Sequence, residues 1–380
     1  MKSMYLVSRI KSLNFSKKTR GIDMSKNSDI NKIEIIEFNP IKCSREEWQQ
    51  YHYYRRIRHE EISPDDPLTP DEIVEKGLQM QMNHPEMVPY MYTIKDTSIN
   101  KRIGTVAFMV IRETSPSYEG NKHLIQYDII LLPEYRRNRI GTRALKMIYD
   151  FAVKNEKSIV ITGSEESDGK AFLKAIGAQI VLSGVENRLD FADIDWNMIE
   201  EWENEGPNRS PETKLEFFYS IPEELIEPYS KIYTETLNQQ PLGDLDVKDI
   251  IYTPESLREM EKRRKELGRT HLTYITTEPN GEISGLTEML FMPERENMIV
   301  QLLTGVKQEH RGRGLGKWLK ATMMLRIKEE FPSVRIVTTD NATTNTPMLS
   351  INDRLGFKVH KEGITGQMKT EELGKYLEGK

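Results

Sequence analysis

Most of what would tie this chain to a metal, a membrane or a nucleic acid is missing from it. Among 380 residues there is one cysteine, Cys43, so neither an intramolecular disulfide nor a cysteine-built zinc site can form, which fits a reducing, cytoplasmic setting. The seven histidines include no H-x-x-x-H pair, and no metal site is expected. No stretch approaches the ~20 consecutive apolar residues of a membrane span, so no membrane association is expected. A formal charge of −5 gives no electrostatic reason to expect a nucleic-acid partner. The G-x-x-x-x-G-K-[ST] cradle for nucleotide phosphates does not occur, nor does a dinucleotide G-x-G-x-x-G after a first strand. What is present is 37% hydrophobic and 30% charged residues, enough for packed cores under a solvated surface. The length exceeds the ~100–200 residues of one ordinary domain, so two domains are expected.

Charge is unevenly spread. Lys2, Arg9, Lys11, Lys17, Lys18 and Arg20 face Asp23 alone in residues 1–23. Residues 1–32 therefore read as a basic leader, disordered or preceding a natural start at Met24, with an organelle-import segment as the alternative.

The rest of the chain repeats itself. Gln126-Tyr-Asp-Ile-Ile-Leu-Leu-Pro-Glu-Tyr-Arg136 lines up with Gln301-Leu-Leu-Thr-Gly-Val-Lys-Gln-Glu-His-Arg311, and each continues into an Arg-rich turn and a helical stretch. Asn100 to Gly104 resembles Asn280 to Gly285, and Ala175 to Ala178 resembles Arg354 to Phe357. A repeat this long marks a duplicated domain. The expected layout is a first domain at 33–205, a linker at 206–213 and a second domain at 214–380. Gly and two Pro between Asn204 and Thr213 argue against helix or strand there. Trp196, Met198, Ile199 and Trp202 form an apolar helix face just before it, read as interdomain packing.

In the second half, strands are expected at Thr270–Thr277, Glu282–Met292 and Met298–Val306. A helix follows over Gly314–Glu330 with Leu315, Leu319, Met323 and Ile327 on one face. Then come a strand at Val334–Thr339 and a helix at Pro347–Leu355 ended by Gly356. Strand, Gly/Arg turn, helix is a device for anions, because the first-turn N–H groups and the positive end of the helix dipole face an open, glycine-lined backbone. Tight packing is the other use of such a turn.

Arg311-x-x-Gly314-x-Gly316 resembles the acyl-CoA diphosphate loop, R/Q-x-x-G-x-G/A, of the GNAT acetyltransferase superfamily. The stretches Thr304 to Lys320 and Thr339 to Phe357 resemble GNAT sequence more widely, and the duplicated layout is similar to that of tandem GNAT proteins, a group that includes mycothiol synthase-like enzymes. The resemblance implies an α/β (α+β) fold of two tandem GNAT domains, each a twisted, mostly antiparallel sheet flanked by helices. It implies acetyl-CoA as cosubstrate, a small-molecule amine as acceptor, and a monomer or homodimer. On this reading Val306 offers main-chain bonds to the pantetheine arm, and Arg311, Gly312, Arg313, Gly314, Leu315, Gly316 and Lys317 hold the diphosphate. Asn345 contacts the cofactor arm, caps a helix, or does both.

Acetyl transfer to an amine needs a proton acceptor, a stabilised oxyanion and a proton for the departing thiolate. Glu288, an acid in the apolar run Gly285 to Phe291, is the candidate base, with burial expected to raise its pKa; the alternative is an outward-facing strand residue. Gln301 can orient but cannot accept a proton. Many GNAT enzymes carry a Tyr where this chain has Asn352, which cannot serve as the acid. The first half departs further: Arg139 stands where Gly314 stands, Ala107 where Glu288 does, and Leu173 where Asn352 does. It is read as a degenerate partner. Glu60, Glu61, Asp65 and Asp66 before the next helix suit its dipole or a lid for a cationic substrate. A non-catalytic acyl-CoA-binding or scaffold protein is the rival reading.

Overall fold

A computed structural model describes residues 32–380; the basic leader lies outside the described residues. In chain order the elements are β1 (Ile33–Glu37), α1 (Arg45–Ile62), α2 (Asp71–Met82), β2 (Met87–Asp96), β3 (Lys101–Ile111), α3 (Tyr118–Asn121), β4 (Leu124–Leu131), α4 (Ile140–Lys154), β5 (Ile159–Ser164), α5 (Ser167–Ile176) and β6 (Gln179–Asp190). They continue with α6 (Trp196–Arg209), β7 (Lys214–Phe218), α7 (Glu223–Asn238), α8 (Pro254–Glu266), β8 (Thr270–Thr277), β9 (Ile283–Phe291) and β10 (Met298–Val306). The last are α9 (Leu315–Glu330), β11 (Ile336–Ala342), α10 (Thr346–Leu355), β12 (Lys358–Lys369) and α11 (Thr370–Glu378).

The chain forms two compact units, and a single cut near residue 210 does not describe them. One holds the described residues through Leu182 together with 244–248 and 364–380; the other holds 183–243 and 249–363. The first unit's sheet runs β1, β2, β3, β4, β5 and then residues 364–369 of β12, with β4 and β5 parallel and the remaining pairs antiparallel. The second runs from residues 184–190 of β6 through β11, β10, β9 and β8 to β7, with β10 and β11 parallel. Each sheet thus closes on a strand supplied by the other half of the sequence. The first core joins Ile103, Val106, Ile125, Leu145 and Ile148 to Met368 and Leu373 from the chain end. In the second, Leu272, Met289 and Ile299 from the sheet pack on Leu319, Met323 and Ile327 of α9, the face anticipated from four-residue spacing.

Two expectations are corrected here. Residues 204–209 are helical, because α6 starts at Asp195, whose carboxylate accepts from the N–H groups of Asn197 and Met198, and Pro207 falls in its final turn, where little helix remains to be broken. The apolar face of α6 also packs within the second unit: Ile199 and Trp202 are buried in the same core as Leu319 and Met323. Contact between α6 and α9 is close because residue 206 has no side chain. A Cβ there would lie 2.2 Å from atoms of the Trp318 ring, and Trp318 is itself buried. Gly206→Ala should therefore force the two helices apart and destabilise the chain by about 1–3 kcal/mol; a thermal melt matching wild type would contradict this packing.

Candidate active site

The site begins where two parallel strands part. β10 pairs with β11 at only three positions, Met298 to Val300 against Ile336 to Thr338. Beyond them β10 continues to Val306 paired with β9 alone, and β11 continues to Ala342 paired with β6. A register shift between Gln301 and Thr304 marks a bulge in β10 at this point, and a bulge bends its strand and adds twist. Gln301 holds that bulge. Its Nε2 donates to the carbonyl of Glu288 at 2.7 Å, to Thr304 Oγ1 at 3.1 Å and to Thr287 Oγ1 at 3.2 Å, while the two threonine hydroxyls lie 2.7 Å apart. Gln301 thus shapes the cleft through the backbone.

The open side leads to the Gly/Arg turn. Gly312 and Gly314 have φ of +81° and +87°, the left-handed region where glycine carries no steric penalty. Lys317 and Trp318 donate back to the Gly314 carbonyl at 3.0 and 3.1 Å. The N–H groups of residues 312 to 316 find no acceptor among the described residues, so five consecutive donors stand at the start of α9. Arg311 bonds to the carbonyl of Val306 and to Gln239, so the Val306 oxygen already has a donor. Arg313 turns away to Glu278 at 3.0 Å.

Two cations that were not anticipated, Arg209 and Arg354, join Lys317 here. Arg209, from the end of α6, donates to the Gly312 carbonyl at 3.3 Å; its guanidinium sits 3.3 Å from where a Cβ on Gly314 would be. Lys317 lies over the Trp202 ring, and so does Arg354 from α10, at 5.2 and 4.9 Å. Partial burial holds the Lys317 ammonium below its ordinary range, and the like charges of Arg354 and Arg209 lower it further. Arg209 lay in the segment read as a linker, which is why its place here was not legible.

Glu288 departs from expectation. It is fully buried, yet its carboxyl lies below the ordinary range. Burial alone would raise it, and the opposing pull of His271, of Arg264 and of the Tyr229 hydroxyl is larger. Oε1 accepts from Tyr229 at 2.7 Å and lies 3.1 Å from His271 Nε2; Oε2 has no hydrogen-bond partner among the described residues. Asn345 occupies the cap position of α10, but its side chain makes no capping bond. Asn352 is buried and bonded to Asn341 and Lys320. Glu282, Glu309 and His310 bring ligand atoms within 4.8 Å of one another, although Glu282 is ion-paired to Lys307 at 2.6 Å.

The first unit repeats the strand divergence, with β4 and β5 paired only from Leu124 to Gln126 against Ile159 to Ile161. Its turn keeps the left-handed backbone as well, although arginines fill it: Arg137 and Arg139 have φ of 62° and 60°, a conformation that costs an L-residue roughly 1–2 kcal/mol. The electrostatics differ. Arg136 is held by Glu61 at 2.6 Å, Asp168 at 3.0 Å and Glu166 at 3.6 Å, so carboxylates crowd this turn where neutral groups attend Arg311. Glu61 is therefore committed to Arg136 and Arg58. Gln126, counterpart of Gln301, is buried with neither amide atom partnered among the described residues, in a cleft shared with Tyr90, Met91, Phe108 and Asp128.

The buried pair has a pH consequence. Burial pushes the His271 imidazole below its ordinary value of 6.5, against the pull of Glu288, and Glu288 lies below its ordinary 4.5. On unfolding both bind protons more readily, so stability rises with pH across this range and is lost as pH falls from about 7 to about 4. His271→Gln should flatten that loss between pH 7 and pH 5 in thermal melts; an unchanged slope would show that His271 is not the group being protonated.

Residues 43–174 match the family model described as Acetyltransferase (GNAT) family. No curated protein matches the sequence. Among solved structures, a tandem GNAT protein from the clavulanic acid biosynthesis pathway, without acetyl-CoA, aligns with a TM-score of 0.69 at 19% identity, covering 89% of this chain and 98% of that one. A GCN5-related N-acetyltransferase from Sphaerobacter thermophilus aligns at 0.60 and 12% identity, covering 90% and 96%. The GCN5-related glucosamine N-acetyltransferase region of a fungal multi-domain β-N-acetylglucosaminidase aligns at 0.57 and 16% identity, covering 88% of this chain and 38% of that one. The family model falls on the half whose turn holds arginines in place of glycines. Residues 43–174 thus resemble a domain of the acetyltransferase (GNAT) family, and the chain as a whole has the fold of a tandem GNAT protein.

Proposed function

We propose that the second unit binds acetyl-CoA and transfers its acetyl group to an amine of a small molecule. The observation that carries this reading is the run of five unpaired N–H groups from Gly312 to Gly316, flanked by Arg209, Lys317 and Arg354 and opening beside the divergence of β10 and β11. A diphosphate supplies the acceptors these donors lack, and its charge relieves the mutual repulsion of the three cations. The acyl arm then lies along the unpaired edges of the two strands, where backbone groups can polarise the thioester carbonyl. The amine attacks the carbonyl carbon directly, since Cys43 is far from these motifs in sequence and burial pushes its thiol up to about 11, leaving no activated sulfur to carry an acyl group. Glu288 is ionised but enclosed, so a proton from the amine reaches it through Tyr229 or His271. That enclosure is also the observation favouring the rival, an acyl-CoA-binding protein without turnover.

Two structural neighbours support the reading: one is a tandem GNAT protein described in its form without acetyl-CoA, and another is a glucosamine N-acetyltransferase region. Gly314→Asp tests the diphosphate seat. Its φ of +87° strains any side chain, and the carboxylate would sit among the free amides and beside Arg209. Calorimetric titration with CoA should show affinity at least about tenfold weaker, or ~1.4 kcal/mol; wild-type affinity would put the anion elsewhere. With labelled acetyl-CoA and a panel of amines, label should appear on an amine, and binding without transfer to any of them would favour the rival.

A further inference from the structure

Resting on the reading above, one group inside the second unit is left without a use. Lys320, in the second turn of α9, is 2% exposed, and Asn352, which it meets, is 1% exposed. Nζ donates to Asn352 Oδ1 at 2.8 Å and lies 5.6 Å from the centre of the Phe357 ring. Asn352 in turn donates to Asn341 Oδ1 at 2.9 Å, where Asn187 also donates at 3.3 Å. The groups facing Nζ from the neighbouring elements are thus an amide and an aromatic ring. Among the described residues no carboxylate is within ion-pair distance, and two of the three N–H bonds have no acceptor. Burying an ammonium with no counter-ion is costly.

Position supplies a reason. Asn341 lies on β11 past Thr338, the last residue paired with β10, so the Lys320–Asn352–Asn341 chain ends on the stretch of that strand that has parted from β10 and is paired with β6 on its other edge. On α9, Lys320 is six residues, roughly 9 Å of helix, beyond Gly314. A ligand with its phosphates at the free amides and its arm along the strands has its far end on Lys320's side of the cleft. We propose that Lys320 Nζ faces the sulfur of the bound thioester and gives the departing thiolate its proton, with Asn352 and Asn341 holding the amine in place.

In that step the amine nitrogen bonds to the acetyl carbon, and the tetrahedral intermediate collapses. The C–S bond breaks with its electron pair going to sulfur, and a proton moves from Nζ to sulfur to give free CoA thiol. The proton shed by the amine nitrogen passes through Tyr229 or His271 to Glu288 and from there to solvent, from which the lysine regains the proton it gave. Burial pushes the Lys320 ammonium down to about 7, which suits exchange of a proton near neutrality.

The test uses the full chain with 13Cε/15Nζ-labelled lysine, followed by NMR against pH alone, with CoA, and with desulfo-CoA, which lacks the sulfur. The lysine that titrates near neutrality should move upward by about one pH unit or more with CoA, because the ammonium then pairs with a thiolate, and should not rise with desulfo-CoA. The absorbance of bound thiolate should show the matching fall in the pKa of the CoA thiol, reversed in Lys320→Gln if that variant folds; the wild-type titration needs no variant. If both ligands bind and affect the lysine equally, Nζ does not meet the sulfur and the proposal is overturned while the binding reading stands. If neither binds, the reading of the site falls first and takes this proposal with it.

Discussion

Everything in the second unit is organised by a helix that starts without acceptors for its own amides. Gly312 and Gly314 turn the chain through left-handed conformations into α9, leaving five N–H groups with no acceptor among the described residues. Buried, unpaired donors are expensive, but donors at a helix start that faces an opening become a binding surface. The rest of the unit keeps that opening. Gln301 pins the bulge that bends β10, the parallel pairing with β11 stops after three residues, and Gly206 lets α6 lie close enough to bring Arg209 to the turn.

The first unit shows what changes when the same backbone is given other side chains. The strands part at the matching place, and Arg137 and Arg139 adopt the glycine conformation despite its cost. Yet three carboxylates gather around Arg136, and an anion arriving there would meet charge of its own sign. Shape has been kept while electrostatics has changed: the family model matches residues 43–174, while the turn with glycines at its left-handed positions lies in the other half.

Much of this was legible in the sequence where chemistry and geometry coincide in a few neighbouring residues. The turn at Arg311 to Gly316 declared itself through glycine spacing, and α9 through Leu315, Leu319, Met323 and Ile327, all buried as the period required. What was not legible depended on contacts distant in sequence. Nothing in β6 or β12 says that each closes the sheet built by the other half. Pro207 signalled a break, but its position in a final turn made it harmless. Glu288 looked like a carboxyl with a raised pKa because its strand is apolar, and His271, Arg264 and Tyr229, which reverse the sign, come from β8, α8 and α7. Lys320 was overlooked because charge on a helix next to an apolar face usually points to water.

The most direct measurement is the amide NMR spectrum of 15N-glycine-labelled protein titrated with CoA. The account predicts that Gly312, Gly314 and Gly316 shift as their N–H groups take up phosphate oxygens, while Gly141 in the first unit's turn stays in place. Movement of Gly141 alone, or of none of the four while CoA binds, would contradict it.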